Sequence, residues 1–178
     1  LSISELLQSL SSLHLADPIQ LVCELYTVFK EKTNSTETLD DFYFWGEMLI
    51  SDFDDVDKNL VDADKLFRNL KELNEIMDDF DFLDEEQRAA IQQFFSNFSI
   101  EKRTELKERF ASIWHALGDI YTDFHRALTS QGVAYEGMLY RDAINKLNTD
   151  NLPYDKYVFA GFNVLNKVEW QLFHRLQQ

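Results

Sequence analysis

Two prolines, five glycines and a single cysteine are spread through 178 residues. With so few chain breakers, and with apolar residues recurring at intervals of three and four, helices are expected nearly throughout. The lone Cys23 excludes an internal disulfide and suits a reducing, cytoplasmic setting. No apolar run approaches the ~18 residues of a membrane-spanning helix, and Leu1–Leu10 is neither basic nor continuously apolar. Neither a transmembrane span nor a secretory signal is therefore expected. The glycines (46, 118, 132, 137 and 161) are scattered and make no phosphate-binding loop, so nucleotide binding by this chain alone is not expected. With leucine in first place and no leader ahead of it, the chain reads as an excised piece of a longer protein.

What is abundant is apolar surface and acid. A hydrophobic fraction of 45%, with 14% aromatics, supplies a sizeable core and sets the chain apart from a disordered acidic tail. The net charge of −15 is unevenly placed. Residues 37–86 hold 18 acids against 4 bases, whereas residues 90–178 hold 10 of each. Affinity for the phosphate backbone comes from Lys and Arg, so the first half repels DNA and the second reaches it only through local basic clusters.

Helix signals punctuate the chain. Asp17-Pro18 is an N-cap followed by proline at the first helical position, opening a helix with Leu21, Val22, Leu25, Val28 and Phe29 on one side. The polar stretch 33–38 is a loop. Further helices are expected at about 39–53 (stripe Phe42, Trp45, Leu49, Phe53), 62–77 and 84–98, the last opened by the capping box Asp84-Glu85-Glu86-Gln87. The longest spans about 99–128, roughly 45 Å at the rise of an α-helix, and another covers about 135–147. Tyr157-Val158-Phe159-Ala160 is the one strand candidate, and Asn166-x-x-Glu169 caps a last helix. A single strand leaves its amides unpaired, so its sheet is expected to lie mostly outside this chain.

Metal and catalytic motifs fail on spacing. The run Asp52–Asp57 has Val56 at a calcium-ligand position, no glycine at the sixth position and Ala63 at the twelfth; Asp78–Glu86 fails similarly at Leu83. Both read as solvated helix-end carboxylates. His14, His115, His125 and His174 show no metal spacing, and Cys23 reads as core. No catalytic residue, metal, cofactor or small-molecule substrate is expected. Tyr135, Tyr140, Tyr154 and Tyr157 lie near Arg126, Arg141, Lys146 and Lys156, the ingredients of a single-strand groove. The local charge is close to zero, which favours rings in a helical core with bases on its surface.

Several stretches resemble one family. Phe42–Asp57 leading into Leu60-Val61-Asp62-Ala63 and Leu66–Leu70, then Ala134–Arg141, then Val158–Glu169, are similar to AddB-like proteins of the PD-(D/E)XK nuclease family. Ser4–Leu7 and Ala16–Ile19 fit the opening of its helical region. The resemblance implies an inactivated superfamily I helicase module joined to a C-terminal nuclease, acting in double-strand-break end processing and recombinational repair. Active helicases of that type end the strand at 157–160 in an Asp-Glu pair. Gly161-Phe162 stands there instead, as in AddB-like chains that have lost ATP hydrolysis. The resemblance then implies a helical, 1B-like insertion over 1–150 and a strand and helix of the truncated core over 151–178. It implies no enzymatic activity for this piece, although its parent would be an ATP-dependent exonuclease component. DNA, through the parent chain, and an AddA-like helicase subunit are the implied partners. Because 37–86 is acidic, the DNA-contacting candidates are Lys102, Arg103, Lys107 and Arg109 of the long helix, with Arg141. The other reading is a freestanding acidic helical module that binds a basic protein, or a DNA mimic. In either case the fold class is all-α, with one long helix.

Overall fold

A computed structural model describes residues 1–69, 100–148, 152, 154, 156–161 and 164–177, with the backbone alone at 100–112 and 114. The fold is all-α, with seven helices and one two-residue parallel strand pair among the described residues. The helices are α1 (Ile3–Leu10), α2 (Pro18–Thr33), α3 (Leu39–Lys58), α4 (63–69), α5 (Ile100–Ser130), α6 (Glu136–Lys146) and α7 (Lys167–Leu176). The strands are β1 (His14–Leu15) and β2 (Val133–Ala134).

Local chemistry sets the helix starts. Ser2 and Glu5 form a reciprocal capping box on α1, and Asn166 and Glu169 form the expected one on α7, each satisfying orphan amides. Asp17 accepts from the Ile19 amide with Pro18 at the first helical position. Thr38 caps α3, whose first turn carries Asp40 and Asp41 at the positive end of the helix dipole. Asn34, at φ 50°, ends α2 in the left-handed region that asparagine tolerates. α5 has 31 residues and is about 46 Å long. The proposed helix at 84–98 and its capping box lie outside the described residues, as does the helix at 62–77 beyond residue 69.

The chain forms two compact units: 1–62 with 121–178, and 63–120. In the first unit, α2 and α3 pack through Phe29, Phe42 and Trp45, with ring centroids 4.5–5.0 Å apart. Leu6 and Leu7 of α1, Phe53 of α3, Phe124 and Leu128 of α5, Leu139 and Ile144 of α6, and Val168 and Leu172 of α7 complete its buried core. β1 and β2 pair His14 with Val133 and Leu15 with Ala134, joining the N-terminal segment to the α5–α6 connection. In the second unit, Phe67 packs over Gly118, where an added Cβ would lie 3.2 Å from the phenylalanine Cβ.

The strand pairing lies elsewhere than at the expected segment. Residues 157–160 are extended but form no ladder among the described residues, and Val158 is 94% exposed. The only ladder described here is the β1–β2 pair, which two residues on each side suffice to make because the flanking amides of His14 and Ala16 also find carbonyls, at Gly132 and Ala134. β propensity alone gives 157–160 no partner edge.

Phe42 is fully buried against Tyr26, Phe29 and Trp45. Phe42→Ala is expected to cost about 3–5 kcal/mol, read as a lowered urea midpoint with little change in slope.

Candidate functional site

The densest polar constellation lies where the end of α3 meets α5 and α6. The inward stripe of α3 runs Phe42, Gly46, Leu49, Phe53 and then, one turn on, Asp57. Asp57 is fully buried, and no other charged or polar residue is buried among the described residues. Its carboxylate is met from two sides. Oδ1 accepts the Tyr121 hydroxyl at 2.5 Å and lies 2.8 Å from Arg141 Nε, whose N–H is not aligned for a hydrogen bond. Oδ2 accepts the Tyr135 hydroxyl and lies 3.0 Å from His125 Nε2, which is itself 2.6 Å from the Tyr135 oxygen.

Spacing brings these groups together. Tyr121 and His125 are one turn apart on α5 and pack with ring centroids 4.1 Å apart at a 38° tilt. Tyr135 stands at the N-cap of α6 and Arg141 on its second turn. Arg141 also donates from Nη2 to the Val56 and Val61 carbonyls, 2.8 Å each, where α3 ends in the turn that places Leu60 at φ 50°. A cation on terminal carbonyls is favoured by the helix dipole.

A second cluster adjoins the first. Tyr135 offers α6 no side-chain cap, and Asp54 supplies one from α3 by accepting the Gly137 amide at 2.5 Å. A Cβ on Gly137 would collide with the Asp54 carbonyl, so only glycine permits this approach. Lys58 bridges Asp54 at 2.8 Å and Glu136 at 2.5 Å, and Tyr140 donates to Glu136 at 2.8 Å.

The electrostatics follow. Burial pushes the Asp57 carboxyl up, but the bonds and charge of His125 and the hydroxyls of Tyr121 and Tyr135 outweigh it and hold the group below its usual range. Tyr135 is driven well above the ordinary phenol range by burial and by Asp57. Burial and Glu136 push Tyr140 up to about 12, offset in part by Ser4 and Lys58. Burial lowers Lys58, but Asp54 and Glu136 overcome it and raise its pKa.

Both Asp57 oxygens are engaged and the side chain has no exposed surface, so it offers no lone pair to a substrate. The arrangement fixes helices: it specifies which turn of α3 faces which turn of α5 and α6. Asp52–Asp57 is helical and forms no calcium loop, and no cluster of metal-ligating side chains occurs among the described residues.

Of the DNA-contacting candidates, Arg141 is turned inward, its Nη2 donating to the Val56 and Val61 carbonyls and its guanidinium ion-paired with Asp57. The side chains of Lys102, Arg103, Lys107 and Arg109 lie outside the described residues, as does Phe162. Gly161 sits at φ 83° after the extended segment, a left-handed turn that glycine accommodates. Tyr135 and Tyr140 are buried, as the core reading expects, while Tyr154 is 56% exposed. The Asp57 cluster is absent from the sequence-based candidates. Its signal was the stripe of α3 continued by four residues, which lands on an aspartate.

No protein-family model, curated protein or solved structure matches the chain.

Removing one partner of a buried ion pair costs about 3–5 kcal/mol, so Asp57→Asn is expected to lower unfolding stability by that order at pH 7. The depressed carboxyl also sets a pH dependence. Its contribution is complete above the unfolded carboxyl pKa of about 3.9 and is lost as pH falls through the lower, folded value. Urea unfolding between neutral and acidic pH is expected to show a shallower acid loss in Asp57→Asn than in the native chain.

Proposed function

We propose that the chain is a non-catalytic helical subdomain of an AddB-like helicase–nuclease. In this reading it scaffolds the DNA path, or seats an AddA-like partner subunit, during processing of double-strand DNA ends in the cytoplasm. The observation that supports it most is the segment 156–161. Its residues 157–160 are extended and apolar, with Val158 and Ala160 exposed and Tyr157 and Phe159 half-buried, and they reach a glycine turn ahead of the capped helix α7. An extended β-prone run without a ladder partner among the described residues has an open edge with which a strand of another sheet could pair.

The charged cluster on Asp57 agrees with a rigid architectural role. Its carboxylate is consumed in joining helices, and Gly161 stands where an active motor would hold a metal-binding acidic pair. DNA contact falls to the start of α5, where Lys102, Arg103, Lys107 and Arg109 are interleaved with Glu101, Glu105 and Glu108. Among the described residues no helix is long and apolar enough to cross a membrane.

The test is made on the complete reading frame. Strands ahead of Leu1 and a carboxylate–lysine nuclease motif downstream are expected. In that full protein Val158→Lys is expected to reduce degradation of linear duplex DNA severalfold while leaving the thermal transition of the purified 178-residue chain in place. A reading frame that stops shortly after Gln178, or one without such a motif, would overturn the assignment.

A further inference from the structure

Packing uses one side of α3 and leaves the other to solvent. On the solvent side Phe44 is 74% and Met48 56% exposed, one helical turn apart and therefore neighbours on the surface. Asp40, Glu47, Asp52 and Asp55 are exposed around them on the same face, and none of the four is in an ion pair among the described residues. Single exposed apolar residues are ordinary. Two large, adaptable side chains stacked within a fence of carboxylates form a defined patch.

A cleft of about 260 Å³ runs alongside, between α2 and α3. Leu21, Val22 and Ile50 line it together with Glu47 and Asp54, so Glu47 belongs to both the cleft and the exposed face. An apolar trough beside a carboxylate suits a lysine or arginine, whose methylene stem packs on hydrocarbon while its head meets the acid.

We propose that this face of α3 docks a Lys/Arg-rich amphipathic helix of a partner protein. The partner's apolar residues cover Phe44 and Met48, one basic side chain enters the cleft against Glu47, and others face Asp52 and Asp55. Charge selects this occupant. A second copy would bring a net −15 against −15, and the chain's own residues 37–86 carry 18 acids against 4 bases. Nucleic acid has the wrong sign. The inference stands on α3 alone and does not depend on the helicase–nuclease reading.

The probe is a fluorescein-labelled amphipathic Lys/Leu helix of roughly 18 residues, titrated with the whole chain by anisotropy at about 50 and 300 mM salt. Binding that weakens with salt is expected. Phe44→Ala/Met48→Ala, which leaves net charge unchanged and keeps strong helix formers in α3, is expected to weaken it about tenfold or more, and Met48→Ala alone by less. Glu47→Gln/Asp52→Asn is expected to flatten the salt dependence. The proposal fails if the native chain does not bind, if Phe44→Ala/Met48→Ala binds within about twofold of it, or if a scrambled peptide of the same composition binds equally well. Sedimentation showing a Phe44-dependent dimer would likewise overturn it, assigning the face to a second copy.

Discussion

Burial of one carboxylate organises the first compact unit. Asp57 leaves water at the end of α3, and a charge so placed is tolerated only where hydrogen bonds and opposite charge replace its hydration. Those replacements come from two other helices: Tyr121 and His125 on α5, and Tyr135 and Arg141 at the head of α6. Slipping α3 by one residue against α5 or α6 would leave the carboxylate unpaired. Hydrophobic contact between Phe53, Tyr121 and Phe124 supplies attraction but little choice of register, because an apolar surface tolerates sliding. The ionic contact supplies the choice.

The acidic residues of α3 thus have two separate uses, divided by the helical repeat. Asp54 and Asp57 point toward α6 and α5, where one caps a foreign helix and the other anchors the hub. Asp52 and Asp55, from the same six-residue run, point to solvent. The run reads as uniform acid in one dimension, but the 3.6-residue turn sorts it into a structural set and a surface set. Gly137 belongs to the same device, because an Asp54 cap requires the α3 backbone to come within reach of the α6 amides.

The elements were largely legible. Asp17-Pro18, the Asn166–Glu169 box, the polar loop at 33–38 and the long helix all follow from local rules, and local rules decide helix ends. The β1–β2 pair was not legible: two residues per strand carry no pattern, and their pairing depends on bringing residue 14 beside residue 133. The strand signal at 157–160 was real as propensity and yet found no ladder among the described residues, since pairing is a property of two segments. Asp57 was hidden for a related reason. A hydrophobic stripe is read from apolar residues, and the reading stops where polarity begins, even when the geometry continues. Its four partners lie 64 to 84 positions away in sequence, beyond the reach of any local spacing. Arg141 was legible as a cation but not as one already committed.

The division of the first unit into 1–62 and 121–178 has a consequence for how its parts are joined. Residues 63–120 leave that unit and return to it, and the contacts of Asp57 with Tyr121 and Arg141 hold the two ends of the excursion together. What lies between those ends is a compact unit of its own that includes the larger part of α5, so the hub joins the ends of an insertion. Loss of the Asp57 contacts would release both ends at once.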